Sequence, residues 1–168
     1  KGTRPRYADP QADEVARREL HSSHKDRAEN LMIVDLLRND LGRSCVRGSI
    51  HVDRLFEVQS FPTVHHLVST ISGELRSDRN AWDLLRDSFP GGSITGAPKR
   101  RAMEIISELE THERQVYCGS VLYVSADGRM DSNIAIRSLL CDQGEVRCWG
   151  GGGIVVDSDW QQEYQESY

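Results

Sequence analysis

Residues 117–149 read YCGSVLYVSADGRMDSNIAIRSLLCDQGEVRCW. Two runs rich in β-branched, aromatic and other apolar residues, 117–125 and 132–141, flank the tetrad Ala126-Asp127-Gly128-Arg129. An Asp-Gly pair between such runs predicts a β-hairpin. A further strand is expected at 145–149, followed by another short one at 154–156. Upstream, strand-like runs recur at 45–52, 55–60 and 64–71. The helices are grouped rather than interleaved with these strands. A short polar helix is expected at 13–21. A stronger one is expected at 25–41, where Leu31, Met32, Leu36 and Leu37 recur at helical spacing and Gly42 marks the stop. Residues 80–87 read as a third helix, broken by Pro90-Gly91-Gly92. Pro98 sits where a first-turn proline belongs and opens a helix to Leu109. Ser158 opens the last helix, with Gln161 three residues on, as in a capping box. Hairpins with grouped helices predict an α+β fold with antiparallel sheet.

The chain has 168 residues, 38% hydrophobic and 28% charged, the balance of a globular domain with its own core. No apolar run approaches the roughly 20 residues needed to span a bilayer. The net charge of −5 disfavours a nucleic-acid partner, which wants a basic face. Cys45, Cys118, Cys141 and Cys148 lack CxxC spacing, so buried reduced thiols are expected rather than zinc or disulfides. The opening KGTRPR has no apolar stretch behind it, and the last helix has barely begun at Tyr168. The expectation is a piece of a longer protein.

Several residues invite a chemical reading. Glu29 shares a helix face with Met32, Ile33 and Leu36. A buried carboxylate there must be paired, protonated or metal-bound; the alternative is a helix-start acid favoured by the macrodipole. Glu163 and Glu166, at i and i+3, present two carboxylates on one face. Such hard oxygens suit Mg²⁺, although dipole complementation also explains them. The run Gly150-Gly151-Gly152-Gly153 allows backbone N–H groups to approach an anion, or marks a tight bend. The segment PGGSITGAPK (90–99) imitates a phosphate loop, but Ala97 stands where the lysine belongs. What remains is a glycine-rich turn, with Ser93 and Thr95 feeding a helix N-terminus. Arg137, read as a strand residue beside Ala135 and Leu139, would turn toward a carboxylate or an anionic ligand. His66 shares a strand face with Val64, Val68 and Thr70, as a core histidine or a site residue. Lys1 alone is unremarkable.

Taken in order, the blocks KDRAENLMIVDLLRNDLGR, FPTVHHLVSTISGEL, FPGGSITGAPKRRAMEII and GGGGIVVDSDWQQEYQE resemble the signature blocks of the chorismate-binding enzymes. That family includes anthranilate, aminodeoxychorismate, isochorismate and salicylate synthases. The resemblance covers almost the whole chain. It implies an anthranilate-synthase-like α+β fold, with antiparallel sheets facing each other around the active site and helices outside. Residues 1–168 would then be a chorismate-binding catalytic domain, incomplete at both ends. Glu29, Glu163 and Glu166 would hold Mg²⁺. Gly152 and Gly153 would offer N–H groups to a carboxylate, Arg137 and Tyr117 would engage the enolpyruvyl carboxylate, and His66 and Ser93 would lie near the reacting ring. The opening Lys1-Gly2-Thr3 is similar to the aminodeoxychorismate-forming branch, in which lysine adds covalently to chorismate; anthranilate-forming members carry alanine there. This branch implies amination at C4 with ammonia from a glutamine amidotransferase, in folate biosynthesis in the cytoplasm. A glutamate acting as general acid would precede Lys1. The sequence departs from the family at Leu122, where glycine is usual, and at Gly150, where alanine or serine is common.

Overall fold

The computed structural model describes residues 2–156 and 158–167, with Glu166 described by its backbone alone. Its elements run β1 (Thr3–Pro5), α1 (Pro10–Ser22), α2 (His24–Leu41), β2 (His51–Ser60), β3 (Val64–Ser72), α3 (Ala81–Ser88), a 3₁₀ turn (Gly92–Ile94), α4 (Lys99–Leu109), β4 (Ser120–Val124), β5 (Met130–Ile134), β6 (Leu139–Asp142), β7 (Glu145–Cys148) and α5 (Trp160–Glu166). All the strand pairs are antiparallel, in sheets ordered β1-β3-β2, β4-β5 and β6-β7.

Local chemistry explains most boundaries. Asp9 accepts the Ala12 N–H and Pro10 opens α1, an N-cap and first-turn proline that together start the helix earlier than expected. Ser23 caps α2 through the Asp26 N–H. Asn80 and Asp83 form a reciprocal capping box on α3. At α5 the N-cap is Asp159 rather than Ser158; its carboxylate accepts from the Gln161 and Gln162 N–H groups. The Ser158 hydroxyl accepts the Val155 N–H instead.

Four expectations need correction. The runs at 45–52 and 55–60 give one strand, β2, irregular between Val52 and Glu57 where Phe56 has φ 57°. Cys45 makes only an isolated bridge to Leu75. Residues 154–156 form no strand. Arg137 and Tyr117 lie outside strands: Arg137 occupies a bend with φ 52° between β5 and β6, and Tyr117 a turn before β4. Cys45 and Cys118 are buried thiols as expected, but Cys141 and Cys148 are exposed.

The core lies where α1 and α2 pack on one face of β3. Leu20, Val34 and Leu67 are its buried apolar centre, and the buried Asn30 amide donates to the Leu67 carbonyl. His65 is 1% exposed in this layer. Its Nδ1 lies 2.8 Å from Ser60 Oγ and its Nε2 3.1 Å from Asp13 Oδ1. Asp13 also accepts from the Arg6 guanidinium at 2.8 Å and the Tyr7 N–H at 3.0 Å. The Arg6 hydrogen bonds, helped by the Tyr7 N–H and His65, lower the Asp13 carboxyl from 3.8 to about 2. A depressed folded-state value stabilises the protein above the ordinary carboxylate range. That contribution is lost as pH falls from about 3.8 through about 2. Urea unfolding of the intact protein across this window is expected to show a steeper loss of midpoint for wild type than for Asp13→Asn.

Candidate active site

Face alternation places His66 on the side of β3 opposite His65 and Leu67. This side is only half-buried. Strand β1 pairs along the edge in the register Thr3 to His66, and Thr3 Oγ1 lies 2.8 Å from His66 Nδ1. The segment that follows Lys1 is therefore anchored directly beside His66. Lys1 itself lies outside the described residues.

A cavity of about 340 Å³ opens next to this edge. Gly2, Thr3 and Arg4 line it from β1, Asp26 and Glu29 from α2, and Arg137 and Gly151 to Gly153 from the C-terminal segments. Arg4 donates to Asp26 at 3.1 Å, which ties β1 to the first turn of α2. Gly2 is buried against the same carboxylate, and a Cβ there would sit 2.7 Å from Asp26 Oδ1. Arg4 and Asp26 were not singled out by the sequence reading. Arg4 stands inside the quoted KGTRPR block, but nothing local in that block announces its pairing.

The glycine run is packed against side chains rather than merely bent. A Cβ on Gly153 would lie 2.6 Å from Glu29 Oε1, one on Gly152 3.3 Å from Glu163 Oε2, and one on Gly151 2.9 Å from the Tyr117 hydroxyl. Glycine is therefore needed for close approach. The same distances show that Glu29, Glu163 and Tyr117 converge along one backbone segment. Tyr117 stacks on Trp149 with ring centroids 6.3 Å apart and lies beneath the Arg114 guanidinium. Burial pushes its phenol above the ordinary range.

The two described glutamates are electrostatically unlike. Burial raises the Glu29 carboxyl, and the neighbouring Asp26 and Glu163 anions add to it. Burial works the same way on Glu163, but bonds from the Lys25 ammonium and the Ser158 hydroxyl outweigh it and hold that carboxyl low. Lys25 Nζ stands 2.9 Å from Glu163 Oε1. A cation between these carboxylates would relieve the repulsion at Glu29, so the donor set fits a hard divalent ion that takes few protein ligands and keeps waters. Among the described residues no cluster of three or more metal-ligating side chains occurs; the Glu166 side chain lies outside them.

Ser93 is not in the cavity lining. It sits half-buried in the 3₁₀ turn, which packs further along α2 through Gly92 against Leu36 and Asp40. Of the residues singled out from the sequence, Glu29, Arg137, Gly152 and Gly153 line the cavity; Glu163 and Tyr117 approach the same glycine run from outside the lining, His66 reaches the lining residue Thr3, and Ser93 stands on a neighbouring support. No helix among the described residues is long and apolar enough to cross a membrane.

A family model described as chorismate binding enzyme matches residues 1–168, and the chain belongs to that family. Within it, the chain is 58% identical over 168 residues to aminodeoxychorismate synthase component 1 of Salmonella typhimurium, covering 100% of this chain and 37% of that protein. Anthranilate synthase component 1 of Streptomyces coelicolor is 49% identical over 166 residues, covering 99% of this chain and 32% of that one. The crystal structure of anthranilate synthase component I from Streptococcus pneumoniae superposes with a TM-score of 0.82 at 42% identity, covering 98% of this chain and 38% of that one. The fold is therefore the anthranilate-synthase-like α+β fold, and the chain spans between 32% and 38% of the length of these relatives.

Proposed function

We propose that this chain forms the chorismate-binding and metal-binding part of an enzyme that aminates chorismate at C4 to 4-amino-4-deoxychorismate, using ammonia from a glutamine amidotransferase, for para-aminobenzoate and folate synthesis. The observation that carries this reading is the cavity itself, where Arg137 and the glycine amides meet Glu29 and the segment after Lys1. Chorismate is a dianion. Arg137, with the Tyr117 hydroxyl, suits its enolpyruvyl carboxylate. The Gly152 and Gly153 N–H groups suit its ring carboxylate. That second carboxylate would face Glu29 and Glu163, an arrangement that repels unless a cation lies between. Glu29, Glu163 and Glu166 would hold Mg²⁺, which supplies the charge clamp for the ring carboxylate.

The chemistry assigned to Lys1 is covalent. Its neutral amine adds at C2 of chorismate, the two conjugated ring double bonds shift toward C4, and the C4 hydroxyl leaves with a proton as water. Ammonia then adds at C4, both double bonds shift back, and the Lys1 amine departs. Ammonia replaces water overall and the enolpyruvyl group is retained. His66, fixed through Thr3, stands beside this segment.

The direct test supplies the intact protein with chorismate, Mg²⁺ and ammonia. Aminodeoxychorismate without pyruvate release is expected; anthranilate and pyruvate would overturn the reading in favour of the anthranilate branch. Glu29→Gln is expected to weaken Mg²⁺ binding, measured by calorimetry, by at least the roughly 10–100-fold typical of lost supporting groups at metal sites. Only the anion can ligate. Because the Glu29 carboxyl is raised, wild-type Mg²⁺ affinity should begin to fall, as the solution is acidified, at a higher pH than for an ordinary glutamate.

A further inference from the structure

Two carboxylates reach the same stretch of backbone from different helices. A Cβ on Gly153 would lie 2.6 Å from Glu29 Oε1 of α2, and one on the preceding Gly152 would lie 3.3 Å from Glu163 Oε2 of α5. Both glycines line the cavity. The other oxygen of Glu163 is engaged. Lys25 Nζ stands 2.9 Å from Oε1, with the two side chains 24% and 9% exposed. Lys25 lies one helical turn before Glu29 on α2 and shares that residue's face. Glu163 is itself fixed in the first turn of α5, where its N–H donates to the Asp159 carbonyl at 3.0 Å. One oxygen of Glu163 is therefore held by an ammonium, and the other faces the cavity wall.

This division bears on the choice of metal. Mg²⁺ demands a near-octahedral shell, keeps several waters and is bound through one or two carboxylates. Ca²⁺ is larger, takes about six to eight oxygens and often binds both oxygens of one carboxylate. A carboxylate with one oxygen held by an ammonium has a single oxygen to offer. We propose that Lys25 sets the metal selectivity of this site: by holding Glu163 Oε1 it keeps Glu163 a one-oxygen ligand, which serves Mg²⁺ and denies Ca²⁺ a second contact. This rests on the reading of Glu29 and Glu163 as metal ligands. The positive charge of Lys25 opposes either divalent ion alike, so charge alone lowers both affinities and leaves their ratio unchanged.

The test titrates Mg²⁺ and, separately, Ca²⁺ into the intact, chelator-treated protein by calorimetry and takes the ratio of the two dissociation constants. Lys25→Met keeps the apolar stem and removes the donor and the charge. Both ions should bind it more tightly, and Ca²⁺ should gain about tenfold or more over Mg²⁺, the lower end of what supporting groups contribute at metal sites. Lys25→Arg keeps a charged donor for Oε1, and its ratio should stay near wild type. Lys25→Met should also melt at a lower temperature without metal, because Glu163 is left buried without its counter-charge. A merely structural role predicts that loss with no change in the ratio. An unchanged ratio in Lys25→Met, or a Ca²⁺ gain in Lys25→Arg equal to that in Lys25→Met, overturns the proposal. If Lys25→Met does not fold, Lys25→Ala, in which water can solvate Glu163, decides by the same ratio. Wild-type and variant proteins that bind neither ion overturn the metal-site reading, and the proposal with it. Wild type that binds Mg²⁺ but converts chorismate to anthranilate overturns the amination reading alone, and the ratio still judges Lys25.

Discussion

Gly153→Ala is expected to lower kcat/KM for chorismate by about 100-fold while leaving the melting temperature nearly unchanged. The added Cβ would lie 2.6 Å from Glu29 Oε1 and 2.9 Å from its Cδ and Cγ. Real Cβ atoms do not tolerate such contacts, so the Glu29 side chain must swing away. A long, half-buried carboxylate can do so at little cost to the fold. A displacement of about 1 Å at a reacting centre can cost about 100-fold in rate. Stability and activity should therefore separate. The check is a non-additivity test: Glu29→Ala alone and Glu29→Ala with Gly153→Ala should be equally impaired, because both remove the same carboxylate. A combined variant much worse than Glu29→Ala would show that the glycine acts through its N–H or the substrate instead. Loss of folding in Gly153→Ala, seen by circular dichroism, would contradict the argument outright.

How much of this could be read beforehand depends on whether the cause was local. Helix α2 and the hairpin at Gly128 were legible because period, cap and turn residues agree within a few positions. The earlier start of α1 was also written locally, in Asp9-Pro10. The bend at Arg137 was not. Arginine carries no turn preference, and its positive φ is set by what surrounds the end of β5. The break after Cys45, by contrast, was written in the run itself: Gly48 has φ 84° and the Ser49 N–H donates to the Val46 carbonyl, a turn that delays β2 to His51. In the site, Glu29 was suspicious from its own helix face, but its approach to the glycine run joins residues from opposite ends of the chain. Lys25, Asp26 and Arg4 act through such distant pairings, and a surface-like Lys or Asp on a helix gives no local sign of them. The Asp40–Lys99 pair was hidden for the same reason: Ala97 holds the place of a phosphate-loop lysine, and Lys99, two residues on, gives no local sign that its ammonium turns onto α2.

Lys1→Ala is expected to reduce aminodeoxychorismate formation by roughly a thousandfold or more, the scale on which enzymes lose a covalent nucleophile. The fold should survive, because β1 is held by backbone pairing of Thr3 to Pro5 with Val64 to His66 and by the Thr3 and Arg4 side chains. Chorismate binding should survive as well, since Arg137, the glycine amides and the glutamates are untouched; equilibrium binding is expected within a few-fold of wild type. Lys1→Arg makes the argument sharper. It keeps the positive charge, but a guanidinium stays protonated and cannot attack C2. If Lys1 served only as a counter-charge for the substrate, arginine would restore much of the activity. If it is the nucleophile, arginine should be as inactive as alanine. With ammonia withheld, intact-mass analysis of the wild-type protein should reveal a chorismate adduct short of one water, mapped to Lys1 by peptide sequencing, and neither variant should carry it. Alanine at this position also reproduces the pattern that anthranilate-forming members resemble, so pyruvate release by Lys1→Ala is the outcome to watch. Its appearance, with no adduct in wild type, would mean that the two branches differ here by what the lysine excludes and not by what it attacks.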